Sequence, residues 1–159
     1  SVGTECARRF SAFGCRVIGV ARTPEPRAYF DEMHRTEELM DILPAADILV
    51  LAIPLTETTR HLIHGQMLAK MKSGAILVNI ARGAIVDTPA LTEALRTGHL
   101  GGAVLDVFEE EPLGADSPLW DIENVIITPH NSFVGENNGA RLARIILDYL
   151  SEKRDGYGD

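Results

Sequence analysis

Short apolar runs alternate with amphipathic stretches along most of this chain, and that alternation is the sequence sign of βαβ units and a parallel sheet. The strand candidates are Arg16 to Val20, Ile48 to Ala52, Ala75 to Asn79, Ala103 to Asp106 and Val125 to Ile127. Helices fill the gaps between them, with recognisable start and stop residues. The first is expected from about Thr4 to Phe13, closed by Gly14 in the left-handed region. Thr36 is placed to cap a short turn over Glu37 to Leu43, which Pro44 ends. A third helix covers roughly Gly65 to Met71 and breaks at Ser73-Gly74. The fourth begins at Thr88 with Pro89 in its first turn and stops at Gly98. The last is long, about Gly135 to Lys153, with Leu142, Ile145, Ile146, Tyr149 and Leu150 marking one apolar face. Residues 155–159 read as a disordered tail, leaving 1–154 as the domain.

The start of the chain breaks the pattern. Ser1-Val2-Gly3-Thr4 leads straight into a helix, whereas a doubly wound sheet grows outward from a first strand that ends in a Gly-rich turn. The expectation is a doubly wound parallel α/β sheet whose first strand is missing from this sequence. With 159 residues, 45% of them hydrophobic, there is bulk for one globular domain with its own core, and none for a second full domain. A net charge of −8 argues against nucleic acid or an anionic membrane as the main partner, since both reward a basic surface. It leaves room for a small anionic ligand in a local basic pocket. Cys6 and Cys15 have no histidines at metal-ligand spacing, and both read as core or half-buried thiols. No apolar stretch approaches the ~20 residues of a membrane span and no basic-then-apolar leader opens the chain, so the expected compartment is the cytoplasm.

Reactive residues gather where the expected strands end. Asn79-Ile80-Ala81-Arg82-Gly83 places an arginine after one strand, Asp106-Val107-Phe108-Glu109-Glu110-Glu111-Pro112 places carboxylates after the next, and Thr128-Pro129-His130 places a histidine after the last. An arginine fork can bind a carboxylate at two points, and a histidine kept cationic by a neighbouring carboxylate can protonate a carbonyl oxygen. Each residue also has a plainer reading. Arg82 can cap the next helix or pair with Asp87, His130 alone reads as a capping or surface residue, and Asp106 can cap a loop. Glu109 and Glu110 read as a solvated turn, and His34, His61, His64 and His99 as surface or capping residues.

The order Arg, Glu, His, each behind an apolar run, resembles the D-isomer-specific 2-hydroxyacid dehydrogenase family. The resemblance covers nearly the whole chain and about half of a full enzyme of that family, whose substrate domain is absent from this sequence. It implies a Rossmann-type NAD(P)-binding domain in which Arg82 binds the substrate carboxylate, His130 is the acid/base and Glu111, directly before the proline of the motif, is its carboxylate partner. Ser1, Val2 and Gly3 look like the last three positions of the Gly-x-Gly-x-x-Gly fingerprint, and so fall to the cofactor. By the same carry-over Ile53, Pro54 and Thr59, from a segment resembling Leu-Pro-Leu-Thr, face the cofactor, as do Ile80, Ala81 and Asp106 near the nicotinamide. Asn131-Ser132-Phe133 departs from the small-residue run that follows the family's histidine, which affects the shape of the substrate pocket.

The implied substrate is a small 2-oxo acid or its 2-hydroxy acid, with neither nucleic acid nor membrane as partner, and the family resemblance implies a homodimer. A nicotinamide-sensing binding protein of the corepressor type shares the fold and stands as the alternative. The cofactor choice rests on the end of the strand after the first helix. About 20 residues after the fingerprint an NAD-specific domain carries an acidic residue, but counting from Gly3 reaches Ala21, followed by Arg22 and Thr23. An arginine and a hydroxyl suit a 2′-phosphate, so NADP is expected to be preferred over NAD. The other reading of Arg22 is stacking on adenine or exposure to solvent.

Overall fold

A computed structural model describes residues 1–132, 135 and 137–155 of the chain. The expected helix–strand alternation is present, opening with helix α1 (Val2–Ala12). Its cap is Ser1, whose hydroxyl oxygen accepts the Thr4 amide at 3.3 Å, and the turn after Phe13 closes on Gly14 at φ 78°. Strand β1 (Ile18–Ala21) then pairs in parallel with β2 (Glu32–Arg35).

Strand β2 is absent from the sequence expectations because Glu-Met-His-Arg carries no apolar run. It is a short edge strand among the described residues, mostly half-buried, tied to its neighbour by register and by an ion pair from Arg16 to Glu32. Gly19 in β1 gives room to the side chains that cover it, since a Cβ there would sit 2.4 Å from the Met33 sulfur and 2.7 Å from the Phe30 ring and one of them would have to shift. The turn after β2 also differs from expectation. Thr36 lies inside a 3₁₀ turn instead of capping it, and Glu38 reaches back to accept the Arg35 amide at 2.7 Å. Helix α2 (Leu39–Ile42) follows at once.

Strands β3 (Ile48–Leu51), β4 (Ile76–Asn79), β5 (Gly102–Leu105) and β6 (Val125–Ile127) form a parallel sheet in the order β3-β4-β5-β6. Helix α3 (Gly65–Lys70) connects β3 to β4, and α4 (Thr88–Arg96) connects β4 to β5. Asp87 caps α4 by accepting the Ala90 amide at 3.0 Å, a role that replaces the ion pair with Arg82 considered above. Leu77, Ile63, Ile85 and Leu100 are fully buried between sheet and helices, together with Leu43, Leu68 and Leu91. Leu51, Leu77 and Leu105 sit on successive strands of this core, which explains why the apolar runs read so clearly.

The chain therefore has two ladders, β1-β2 and β3 to β6, with no strand pairing joining them among the described residues. In a Rossmann order, 3-2-1-4-5-6, the break between β1 and β3 is the position of the first strand. Helix α5 (Asn138–Asp155) closes the described chain, and Leu142, Ile145 and Ile146 on its apolar stripe are exposed. Asp155 ends that helix instead of opening a tail; residues 156–159, Phe133 and the side chains of Tyr149 and Leu150 lie outside the described set. Cys15 is exposed, against the expectation of a core or half-buried thiol, while Cys6 is half-buried. No helix of the described chain is long and apolar enough to cross a membrane.

Candidate active site

All the residues singled out after strand ends sit on one side of the four-stranded sheet, because every strand runs the same way and every C-terminal end faces the same edge. The first of these ends is built by Asn79, the last residue of β4. Its buried amide oxygen accepts the Ala81 N–H at 3.1 Å and its amide nitrogen donates to the Arg82 carbonyl at 3.0 Å. One side chain thus folds the turn that presents Arg82. The Arg82 guanidinium donates one N–H to the Ala81 carbonyl at 2.6 Å and is otherwise exposed, so most of its five donors remain available.

Gly83 follows Arg82, and its missing side chain leaves space for a close approach. What approaches is protein: a Cβ at Gly83 would lie 1.8 Å from the Phe108 carbonyl carbon and 2.3 Å from the Glu109 nitrogen. The Arg82 turn and the loop after β5 are therefore packed backbone to backbone. On that loop Glu111 folds back so that one carboxylate oxygen accepts the Phe108 N–H at 3.0 Å. The other lies 2.7 Å from His130 Nδ1. Burial works against a charge on Glu111, but the Phe108 N–H, His130 and the nearby charge of Arg82 outweigh it and hold its carboxyl below the usual carboxylate range. Both side chains of the pair remain about one-third exposed, so a small molecule can reach them.

His130 itself has φ 51°, the left-handed region that a non-glycine residue enters at a cost. The loop that imposes it is held by Asp106, which is almost fully buried. Its two oxygens accept the Thr128 hydroxyl at 2.5 Å, the Asn131 N–H at 3.0 Å and the Ser132 N–H at 2.9 Å. Burial alone would push this carboxyl up, yet the hydrogen bonds from Ser132, Thr128 and Asn131 lower it from 3.8 to about 2. Sequence reasoning placed Asp106 at the cofactor or as a loop cap; the described contacts are those of the cap. The register explains the contact: Leu105 and Ile127 are partners, so the residues that follow them, Asp106 and Thr128, come together.

The remaining candidates divide into two groups. Val2, Ala52, Ile53, Pro54, Leu55, Ile80, Ala81 and Arg82 line one cleft of about 340 Å³, which brings five cofactor candidates together beside the arginine. Gly3 borders the same place, with Ala52 3.9 Å from where its Cβ would be. Thr59 does not line the cleft: its hydroxyl donates to the Pro54 carbonyl at 2.8 Å and shapes the Pro54 turn. Ser1 is occupied as the cap of α1, and Arg22 and Thr23 stand exposed just after β1, away from the cleft lining. Two residues read as bland are engaged: Glu109 pairs with His61 and with the Thr88 amide. Among the described residues no group of His, Cys, Asp or Glu is arranged to hold a metal ion.

Comparison with known proteins agrees with this geometry. The NAD-binding domain of the D-isomer specific 2-hydroxyacid dehydrogenases matches residues 1–132. An (S)-sulfolactate dehydrogenase from Chromohalobacter salexigens is 45% identical over 148 residues, covering 92% of this chain and 48% of the relative. A glyoxylate reductase from Thermococcus gammatolerans is 46% identical over 129 residues, 81% of this chain and 38% of that enzyme. Among solved structures, a D-isomer specific 2-hydroxyacid dehydrogenase from Xanthobacter autotrophicus in complex with NADPH and MES superposes with a TM-score of 0.75 at 44% identity, covering 78% of this chain and 39% of that one. The chain spans about half the length, or less, of the curated relatives it matches. With its parallel strands, its cleft at their C-terminal ends and its Arg, Glu and His in family order, this chain belongs to the D-isomer-specific 2-hydroxyacid dehydrogenase family through its NAD-binding domain.

Proposed function

We propose that residues 1–154 are the cofactor-binding and proton-transfer unit of an NAD(P)-dependent dehydrogenase that interconverts a small 2-oxo acid and its 2-hydroxy acid. The observation that carries this reading is the His130–Glu111 pair at 2.7 Å, on a loop packed against the Arg82 turn. The cleft fits a dinucleotide in its chemistry: apolar walls from Val2, Ile53, Pro54 and Ile80, one cation from Arg82, and the amino end of an 11-residue helix, where backbone N–H groups favour a pyrophosphate. When bound, a nicotinamide cofactor supplies or accepts the hydride.

The chain's own residues do the rest. Arg82 holds the substrate carboxylate with its free N–H donors and places the carbonyl for reduction. Glu111 at 2.7 Å from Nδ1 orients the His130 ring, and Nε2 is the atom assigned to the substrate oxygen. In the reductive direction Nε2 gives its proton to that oxygen; in the oxidative direction neutral Nε2 takes it back. The Glu111 anion steadies the imidazolium between the two events. Asp106 and the left-handed backbone of His130 fix where that ring stands.

For the cofactor, Arg22 and Thr23 after β1, with Ala21 in place of an acidic residue, support NADP over NAD. The names of the relatives favour glyoxylate-like or sulfolactate-like substrates. On family resemblance the parent enzyme is a homodimer. Reduction of a panel of 2-oxo acids by the full-length protein with NADPH and NADH tests the reading. Turnover of at least one acid is expected, and failure to turn over any acid with either cofactor overturns it.

A further inference from the structure

A second imidazole–carboxylate pair lies beside the first. His61 Nε2 stands 2.8 Å from one Glu109 oxygen, and the other Glu109 oxygen accepts the Thr88 N–H at 3.1 Å. His61 belongs to the loop before α3; its own N–H donates to the Ala84 carbonyl at 2.8 Å, and its φ is 48°. Three segments therefore meet at Glu109: the His61 loop, the stretch from Gly83 to Thr88 that follows Arg82, and the Phe108–Pro112 loop that carries Glu111. Burial opposes a charge on Glu109, but the bonds from Thr88 and His61 outweigh it and lower its carboxyl.

Helix capping does not account for the arrangement. Helix α4 already has Asp87 as its cap, and a cap has no need of a histidine from 48 residues upstream in the chain. What the pair spans is the junction between the two segments that bear Arg82 and Glu111. Gly83 pressed against Phe108 brings those segments into contact, but van der Waals contact alone leaves the loop free to slide along it. Directional bonds from Glu109 to both His61 and Thr88 remove that freedom.

We propose that His61 and Glu109 are positioning residues, a clamp that pins the Phe108–Pro112 loop to the Arg82 turn and thereby sets where Glu111 meets His130. The proposal rests on the reading of Arg82, Glu111 and His130 as the catalytic set. Geometry errors on the order of 1 Å cost about a hundredfold in rate, so a loosened clamp is expected to act on kcat and not on cofactor binding.

The test uses the full-length enzyme with His61→Asn, Glu109→Gln and the double variant. Asparagine tolerates the left-handed backbone at position 61, so the first variant folds even where alanine would not. Each single variant is expected to lower kcat about tenfold, with KM for the cofactor unchanged and the pH dependence of reduction displaced toward that of Glu111→Gln. The double variant should be no worse than the poorer single one, because the two side chains act as one unit. Hydrogen exchange should quicken across residues 106–112 while the four-stranded sheet keeps its protection. Unchanged kcat and pH dependence overturn the proposal, as does a loss of protection spread over the whole sheet. An unmodified enzyme that reduces no 2-oxo acid would instead overturn the dehydrogenase reading, and the exchange measurement would still decide the clamp.

Discussion

The Asp106 carboxylate accepts the Thr128 hydroxyl at 2.5 Å across the ends of two neighbouring parallel strands. Through that bond and its bonds to Asn131 and Ser132, a buried anion fixes the loop that carries His130, the proposed acid/base. Its folded pKa lies at about 2, below the ordinary 3.8, so its contribution to stability is complete above pH 3.8 and is lost as the pH falls toward 2. Asp106→Asn should cost about 2 kcal/mol at neutral pH and flatten the acid limb of the stability curve. Urea denaturation of both forms between neutral pH and pH 2 checks the slope. An acid limb of unchanged steepness in the variant would falsify this account.

Glu111→Gln keeps the size of the side chain and its bond to Phe108 but removes the anion beside His130. The imidazolium loses its partner, so reduction should fade at a lower pH than in the unmodified enzyme. Oxidation, which needs neutral imidazole, should reach its plateau earlier. Rate profiles in both directions test this, and profiles that superpose on the original remove Glu111 from the mechanism.

Arg82→Lys retains a positive charge while giving up the planar fork. The expected result is a KM for the oxo acid raised about tenfold or more, with a smaller drop in kcat and no change in cofactor affinity. Steady-state kinetics with substrate and cofactor varied separately show whether the loss falls on the acid.

Gly83→Ala places a methyl group where the Phe108 carbonyl carbon already lies 1.8 Å away. Backbone has to move, and the expected cost is about 2 kcal/mol or more, by the overpacking that small-to-large changes bring. Activity should drop with it because the Arg82 turn and the Glu111 loop part company. A variant with the original melting temperature and rate would show that the two segments are not in contact in solution.

Ala21→Asp combined with Arg22→Ser adds a carboxylate at the end of β1, where it would repel a 2′-phosphate, and removes the cation that follows. The ratio of kcat/KM for NADPH over NADH should fall by about tenfold or more. An unmodified enzyme that works equally well with NADH would sink the cofactor assignment outright.

The parts of the fold that were readable in advance are those where chemistry is local. Ile76 to Asn79 reads as an apolar run because β4 has a neighbour on each side in the sheet, Ile48 to Leu51 because Leu49 and Leu51 pack into the core, and Gly14 and Gly98 mark helix ends where φ reaches 78° and 71°. Arg82, Glu111 and His130 were readable as a motif in order along the chain, and the Glu111–His130 bond then joins residues 19 positions apart. What the sequence concealed depends on distant partners. Glu109 resembles its neighbour Glu110 in every local respect, yet only Glu109 meets His61 and Thr88, 48 and 21 residues away. Strand β2 was hidden for the opposite reason. Its residues are ordinary surface residues, and only the ladder to β1 makes them a strand.

Among the described residues that ladder and the one from β3 to β6 share no strand pairing, and Val20 of the first packs against the core of the second. The β1-β2 strands are mostly half-buried while the four-stranded sheet holds the core, so the β1-β2 amides are expected to open at a lower free energy than those of β3 to β6. Arg22 extends from the smaller ladder and the Ile53–Ile80 cleft from the larger. A dinucleotide gripped at both would tie their opening together, merging two tiers of amide protection into one.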